Sequence, residues 1–118
     1  MCDFCTNPSG AGTILAEDDH AWTILHPDGQ VMVVARRHVE NVSDLDEEEW
    51  LQVARVWHRA ERALRQATGA ARVMVMKLGI QTPHLHVHLY PFAADASRAE
   101  VFDVIEGRAS LSLTLTLP

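Results

Sequence analysis

Between positions 84 and 90 the chain reads His84-Leu85-His86-Val87-His88-Leu89-Tyr90. The period of two sets three imidazoles on one side of an extended chain and Leu85, Val87 and Leu89 on the other, the pattern of a half-buried β-strand. At a rise of about 3.3 Å per residue, neighbouring rings on one face stand about 6.6 Å apart, close enough to converge on one phosphate or one metal ion. Histidine has no special preference for strands. Its recurrence at i, i+2 and i+4 therefore marks a site in preference to a merely solvated face.

The elements around this run follow from local patterning. Thr6 to Gly12 is rich in Gly, Pro, Ser and Asn and reads as a loop, with a short strand expected at Thr13 to Ala16. Ala21 to Leu25 and Gln30 to Ala35 are β-prone runs joined by His26-Pro27-Asp28-Gly29, which predicts a hairpin. His20 and His26 fall at its edges. Ser43, followed by Asp46 and Glu47, has the character of a helix start. Beyond it Trp50, Val53, Trp57, Ala60, Leu64 and Ala67 form an apolar stripe opposite Arg55, Arg59 and Arg62. The expectation is one amphipathic helix over Ser43 to Thr68, ending near Gly69. Its two tryptophans belong to the core side, and His58 to the surface. Arg72 to Leu78 is expected to pair antiparallel with the His strand, Arg98 to Glu106 to form a short helix, and Leu111, Leu113, Leu115 and Leu117 to alternate along a C-terminal strand.

These elements predict an α+β fold, with an antiparallel sheet of about five strands packed on one long helix and a short C-terminal helix beside it. The 118 residues read as one domain, with residues 1–12 as an N-terminal Cys segment and residues 107–118 as the tail strand. Hydrophobic residues at 47% and charged residues at 22% fit an ordinary globular protein. A formal charge of −6 argues against general nucleic-acid binding, which draws its affinity from a basic surface. No apolar run is long enough for a bilayer, and no signal-like N-terminus is present, so no membrane partner and a cytoplasmic location are expected. Cys2 and Cys5 are too close to staple a long loop. Their Cys-x-x-Cys spacing suits metal or redox chemistry, although a redox motif would normally follow a strand.

Leu78-Gly79, followed by Gln81-Thr82-Pro83-His84-Leu85-His86-Val87-His88-Leu89, resembles the signature of the histidine-triad (HIT) family of nucleotide hydrolases and transferases. Gly29, Val31 to Val34 and Arg36-Arg37-His38 resemble that family's glycine, apolar strand and basic-basic-His segment. The similarity spans about two-thirds of the chain, and two ordered motifs are more specific than either alone. The resemblance implies that His86 attacks an α-phosphorus, that His88 contacts the phosphate, that His84 supports the arrangement and that His38 reaches the site from the preceding segment. It also implies phosphate or leaving-group contacts from Gln81 and Thr82, and a homodimer. Many members carry an Asp near the ribose in a longer loop, a position for which Asp28 is the candidate here. Ile80 replaces a frequent Asn, and Ala35 a frequent Pro, changes expected to reshape the pocket. Some bacterial members hold structural Zn²⁺ with an N-terminal Cys-x-x-Cys and two histidines. The matching ligands would be Cys2, Cys5, His38 and His84, against the alternative of two untethered thiols.

Imidazole chemistry is consistent with that resemblance. With a pKa of about 6.5, one ring can attack while its neighbours stabilise charge. The expected substrate is a small nucleotide activated at its α-phosphate, such as a dinucleoside polyphosphate, a phosphoramidate or an adenylate. Two other classes stay open. His-x-His on a strand can chelate zinc, making a zinc-binding protein, and the same residues could bind a nucleotide without turning it over.

Overall fold

The computed structural model describes residues 2–117, so Met1 and Pro118, the two ends of the expected domain, lie outside the described residues. A five-stranded antiparallel sheet organises the chain. Its strands are β1 (Thr13–Glu17), β2 (Ala21–Leu25), β3 (Val31–Ala35), β4 (Arg72–Met76) and β5 (His86–Phe92). They lie in the order β1-β2-β3-β5-β4. The His strand is thus internal, paired with β3 on one side and with the edge strand β4 on the other.

Three helices join the sheet: α1 (Asp3–Thr6), α2 (Glu47–Thr68) and α3 (Arg98–Ile105). The α+β architecture agrees with the sequence expectation. The long helix starts later than Ser43, because Asn41 and Asp44 close their own capping box around a 3-10 turn at Val42–Asp44. Leu45 then turns extended, and Asp46 caps α2 by accepting from the Glu49 amide, while the Glu49 side chain returns to the Asp46 amide. Gly69, in the left-handed conformation, ends the helix.

The sheet has two different faces. Ala21, Val31, Val33, Val87 and Leu89 pack with Val56, Ala60 and Leu64 of α2. Burial of each large aliphatic side chain there contributes about 1.5–3 kcal/mol. On the opposite face Trp22, Ile24, Met32 and Val34 pack against Phe4 of α1. Register places His86 beside Val34 and His88 beside Met32, on the Phe4 side and away from α2. At the end of that face, Tyr90 and Phe92 pack with Val104 of α3 and with Leu111.

Two expectations about strands are corrected. His84 precedes β5 rather than opening it, because its amide donates to the Thr82 carbonyl and its own carbonyl is taken by the His86 ring. Ladder groups engaged locally cannot pair across a sheet. The C-terminal segment forms no strand among the described residues. Leu111 inserts into the cluster on the α3 side, whereas Leu115 reaches the cluster under α2. The tail therefore crosses the end of the sheet instead of running along an edge. It passes the β2–β3 turn at Gly29, whose φ of 98° favours glycine and whose ideal Cβ position lies 2.9 Å from the Thr114 methyl.

Candidate active site and metal-ligand cluster

The histidines occupy two adjoining centres, and main-chain acceptors fix their tautomers. A carbonyl oxygen can only accept, so a ring nitrogen bonded to it carries a proton, and in the neutral ring the other nitrogen holds the lone pair. His86 sets Nδ1 2.6 Å from the His84 carbonyl, so its Nε2 is the lone-pair nitrogen. His84 sets Nε2 2.5 Å from the Ala35 carbonyl, so its Nδ1 is the lone-pair nitrogen. Neighbouring residues of one motif thus present opposite ring atoms.

The Nδ1 of His84 faces the N-terminal cysteines. It lies 3.2 Å from Cys2 Sγ, 3.5 Å from Cys5 Sγ and 3.2 Å from His38 Nδ1, while Cys5 Sγ lies 3.3 Å from His38 Nδ1. All four donor atoms fall within 4.8 Å of one another. Tetrahedral zinc with Zn–S of about 2.3 Å and Zn–N of about 2.0–2.1 Å needs ligand separations of about 3.3–3.8 Å. Donor type, number and spacing therefore fit a metal ion. Burial holds the His84 imidazole below its ordinary pKa, with His38 and His86 adding to the effect against the Ala35 hydrogen bond. A neutral ring is the form that binds a cation.

The second centre contains His86 and His88, with ring centroids 5.0 Å apart. Phe4 lies 4.9 Å from the His86 ring and 5.6 Å from the His84 ring, closing one side of the site. Tyr90 stacks under His88 at 6.2 Å. Neither Nε2 of His86 nor Nε2 of His88 has a hydrogen-bond partner among the described residues. No buried side-chain nitrogen or oxygen there lacks one, so both atoms reach the surface. Burial of the ring pushes the His88 imidazole down to about 4, helped by His86 and His26 and opposed by Asp28.

The other expected site residues are distributed unevenly. His38 joins the cysteines rather than His86 and is exposed. Gln81 and Thr82 line a cleft of about 310 Å³ with Cys2, Asp3, His38 and Pro83, beside the Cys–His cluster. Asp28 turns its carboxylate to Gln30, accepting from the Gln30 amide at 3.0 Å and from its side chain at 2.9 Å. The opposite end of that side chain meets His88: Gln30 Oε1 lies 2.5 Å from His88 Nδ1. Sequence reading misses Gln30 as a site residue. Its one available signal is its place just before β3, two residues from the Met32 that pairs with His88. A larger apolar cavity of about 430 Å³ lies on the α2 side, lined by Ala21, Val31, Val56, Ala60 and Leu64, and the sheet separates it from the histidines.

An antiparallel sheet bearing paired histidines with lone pairs at the surface defines a fold and a site that comparison with known proteins can name. The HIT domain matches residues 11–94, and the chain belongs to the HIT family. A hypothetical histidine triad nucleotide-binding protein from Sulfolobus tokodaii has a similar structure, with a TM-score of 0.68 at 24% identity over 80% of this chain and 71% of the other. A HIT family member from Bacillus subtilis reaches a TM-score of 0.68 at 21% identity, over 94% and 99% of the two chains. A HIT family hydrolase from Clostridium thermocellum reaches 0.62 at 22% identity, over 82% and 95%. At such identities these structures share the fold. No curated protein matches the chain.

Proposed function

We propose that the protein is a nucleotide hydrolase or nucleotidyl transferase acting at the α-phosphate of a small nucleotide through a covalent nucleotidyl-His86 intermediate. The observation that carries this reading is the His86 ring, anchored through Nδ1–H to the His84 carbonyl with Nε2 open at the surface. Family membership and the neighbour named a hydrolase support the reaction class.

The Nε2 lone pair of His86 forms a bond to phosphorus as the bond from phosphorus to the leaving group breaks. The leaving group takes that electron pair and then a proton from solvent. Water next attacks the same phosphorus and gives up a proton to solvent, and the P–N bond returns its electrons to His86, releasing the mononucleotide. His88 faces the phosphoryl oxygens through Nε2. Its low proton affinity makes it an acceptor in the free protein, and an arriving phosphate anion draws a proton onto it, converting it to a donor. Gln81 and Thr82 contact the leaving group from the cleft beside His38.

Zinc is the metal that two thiolates and two imidazoles suit, held by Cys2, Cys5, His38 and His84. It would tie the N-terminal turn to the sheet as a closed structural site. The working unit is a homodimer, the location cytoplasmic and the ligand a small nucleotide. A mass-spectrometric screen of dinucleoside polyphosphates, phosphoramidates and aminoacyl adenylates for mononucleotide release tests the reading. Release by the wild type and none by His86→Ala is expected. Binding without release would instead favour a nucleotide-binding module.

A further inference from the structure

We infer that Gln30, fixed by Asp28, is a positioning residue that sets the tautomer and orientation of His88. The inference rests on the catalytic reading for its consequence, but its geometry stands alone.

Asp28 is acceptor-only when ionised, so the group of Gln30 that lies 2.9 Å from Asp28 Oδ2 must be the amide NH₂. The amide oxygen then points the other way, 2.5 Å from His88 Nδ1. An amide oxygen also only accepts, so His88 must carry its proton on Nδ1 and offer its lone pair at Nε2. The same carboxylate holds the Gln30 backbone through the 3.0 Å bond from its amide, and His26 Nδ1 lies 2.9 Å from Asp28 Oδ1. Gln30 is 4% exposed, so water does not compete freely for its bond to His88.

In this arrangement both Asp28 oxygens serve Gln30, which makes the residue a support for His88. The arrangement also explains the glycine at position 29: the tight turn brings Asp28 back over Gln30 while leaving room for the tail at Thr114. The groups that face His88 are His86 and Tyr90 from β5, together with Asp28 and His26 from the turn. Gln30 is the neutral link through which the Asp28 charge is felt without becoming a direct ion pair.

The test uses ¹⁵N NMR of the histidine side chains in the full-length protein, with nucleotide release measured in parallel. In the wild type, His88 should be the Nδ1–H tautomer at neutral pH. Gln30→Met keeps the length of the side chain and removes the acceptor. It should move His88 toward the Nε2–H form and lower kcat by about ten- to a hundredfold with KM little changed. Gln30→Glu keeps an acceptor and adds charge, so it should retain the Nδ1–H tautomer, raise the His88 titration midpoint and shift the acid limb of the pH–rate profile upward. Asp28→Asn should show the Gln30→Met signature in weaker form. Wild-type His88 in the Nε2–H form, or an unchanged tautomer and kcat in Gln30→Met, would overturn the inference. If the tautomers behave as stated but no nucleotide is ever released, the relay stands and the catalytic reading fails.

Discussion

Phe4, placed between Cys2 and Cys5 in the sequence, sets its ring 4.9 Å from that of His86 and is itself 7% exposed. The proposed metal ligands and the proposed nucleophile are therefore linked by one aromatic side chain. An ion that pins the turn at Asp3–Thr6 also pins Phe4 against the ring. Removing it by chelation, or by Cys5→Ser, should lower the thermal midpoint by roughly 4 °C for each kcal/mol lost, and should slow nucleotide release. Melting curves with and without chelator, each followed by readdition of zinc, check this. An unchanged midpoint would count against the site.

Phe4→Ala separates the two roles of that turn. Loss of a buried aromatic costs about 3–5 kcal/mol of stability where the gap cannot close. The His86 ring should also lose its orientation, so kcat should fall while bound metal stays near that of the wild type. Metal analysis and steady-state kinetics on the same preparation read both quantities.

Acidification should destabilise the protein through His88. Its folded pKa of about 4 lies below the ordinary imidazole value of about 6.5, so the unfolded chain binds the proton first. The contribution is full above about pH 6.5 and is lost as pH falls toward 4, after which it levels off. Urea midpoints measured from pH 7.5 to 4 should decline across that window, and the decline should shrink in His88→Asn.

Leu64, 1% exposed under the sheet, tests the fold independently of the site. Leu64→Ala should cost about 2–5 kcal/mol. Because the histidines lie on the opposite face, release per folded molecule should stay near the wild-type value. Urea denaturation and an active-site titration give the two numbers.

Much of this architecture is legible in the sequence because burial leaves a periodic trace. The stripe from Val53 to Leu64 marks the helix, and the alternation of Val87 and Leu89 with His86 and His88 places those two rings on one face. Alternation fails at two positions for different reasons. His84 satisfies the period-two pattern, but its main chain bonds within the preceding turn, a local choice that side-chain polarity does not report. Leu111 to Leu117 alternates as a strand would, yet Leu111 and Leu115 serve clusters on opposite faces of the sheet. The proximity of Cys2 and Cys5 to His38 and His84 is anticipated only through family resemblance, since contacts across more than thirty residues leave no local period. Gln30 is hidden for a related reason: its partner lies 58 residues away on another strand.

Rapid-quench trapping is the direct measurement of a bond between His86 and phosphorus. Enzyme mixed with a nucleotide substrate labelled at the α-phosphate should be stopped within one turnover in alkaline denaturant, digested and sequenced by mass spectrometry. An acid-labile mononucleotide phosphoramidate on His86 that forms and decays fast enough to carry turnover is expected, and none in His86→Ala. Steady nucleotide release with no adduct on His86, or release that persists near the wild-type rate in His86→Ala, would contradict the His86–phosphorus bond.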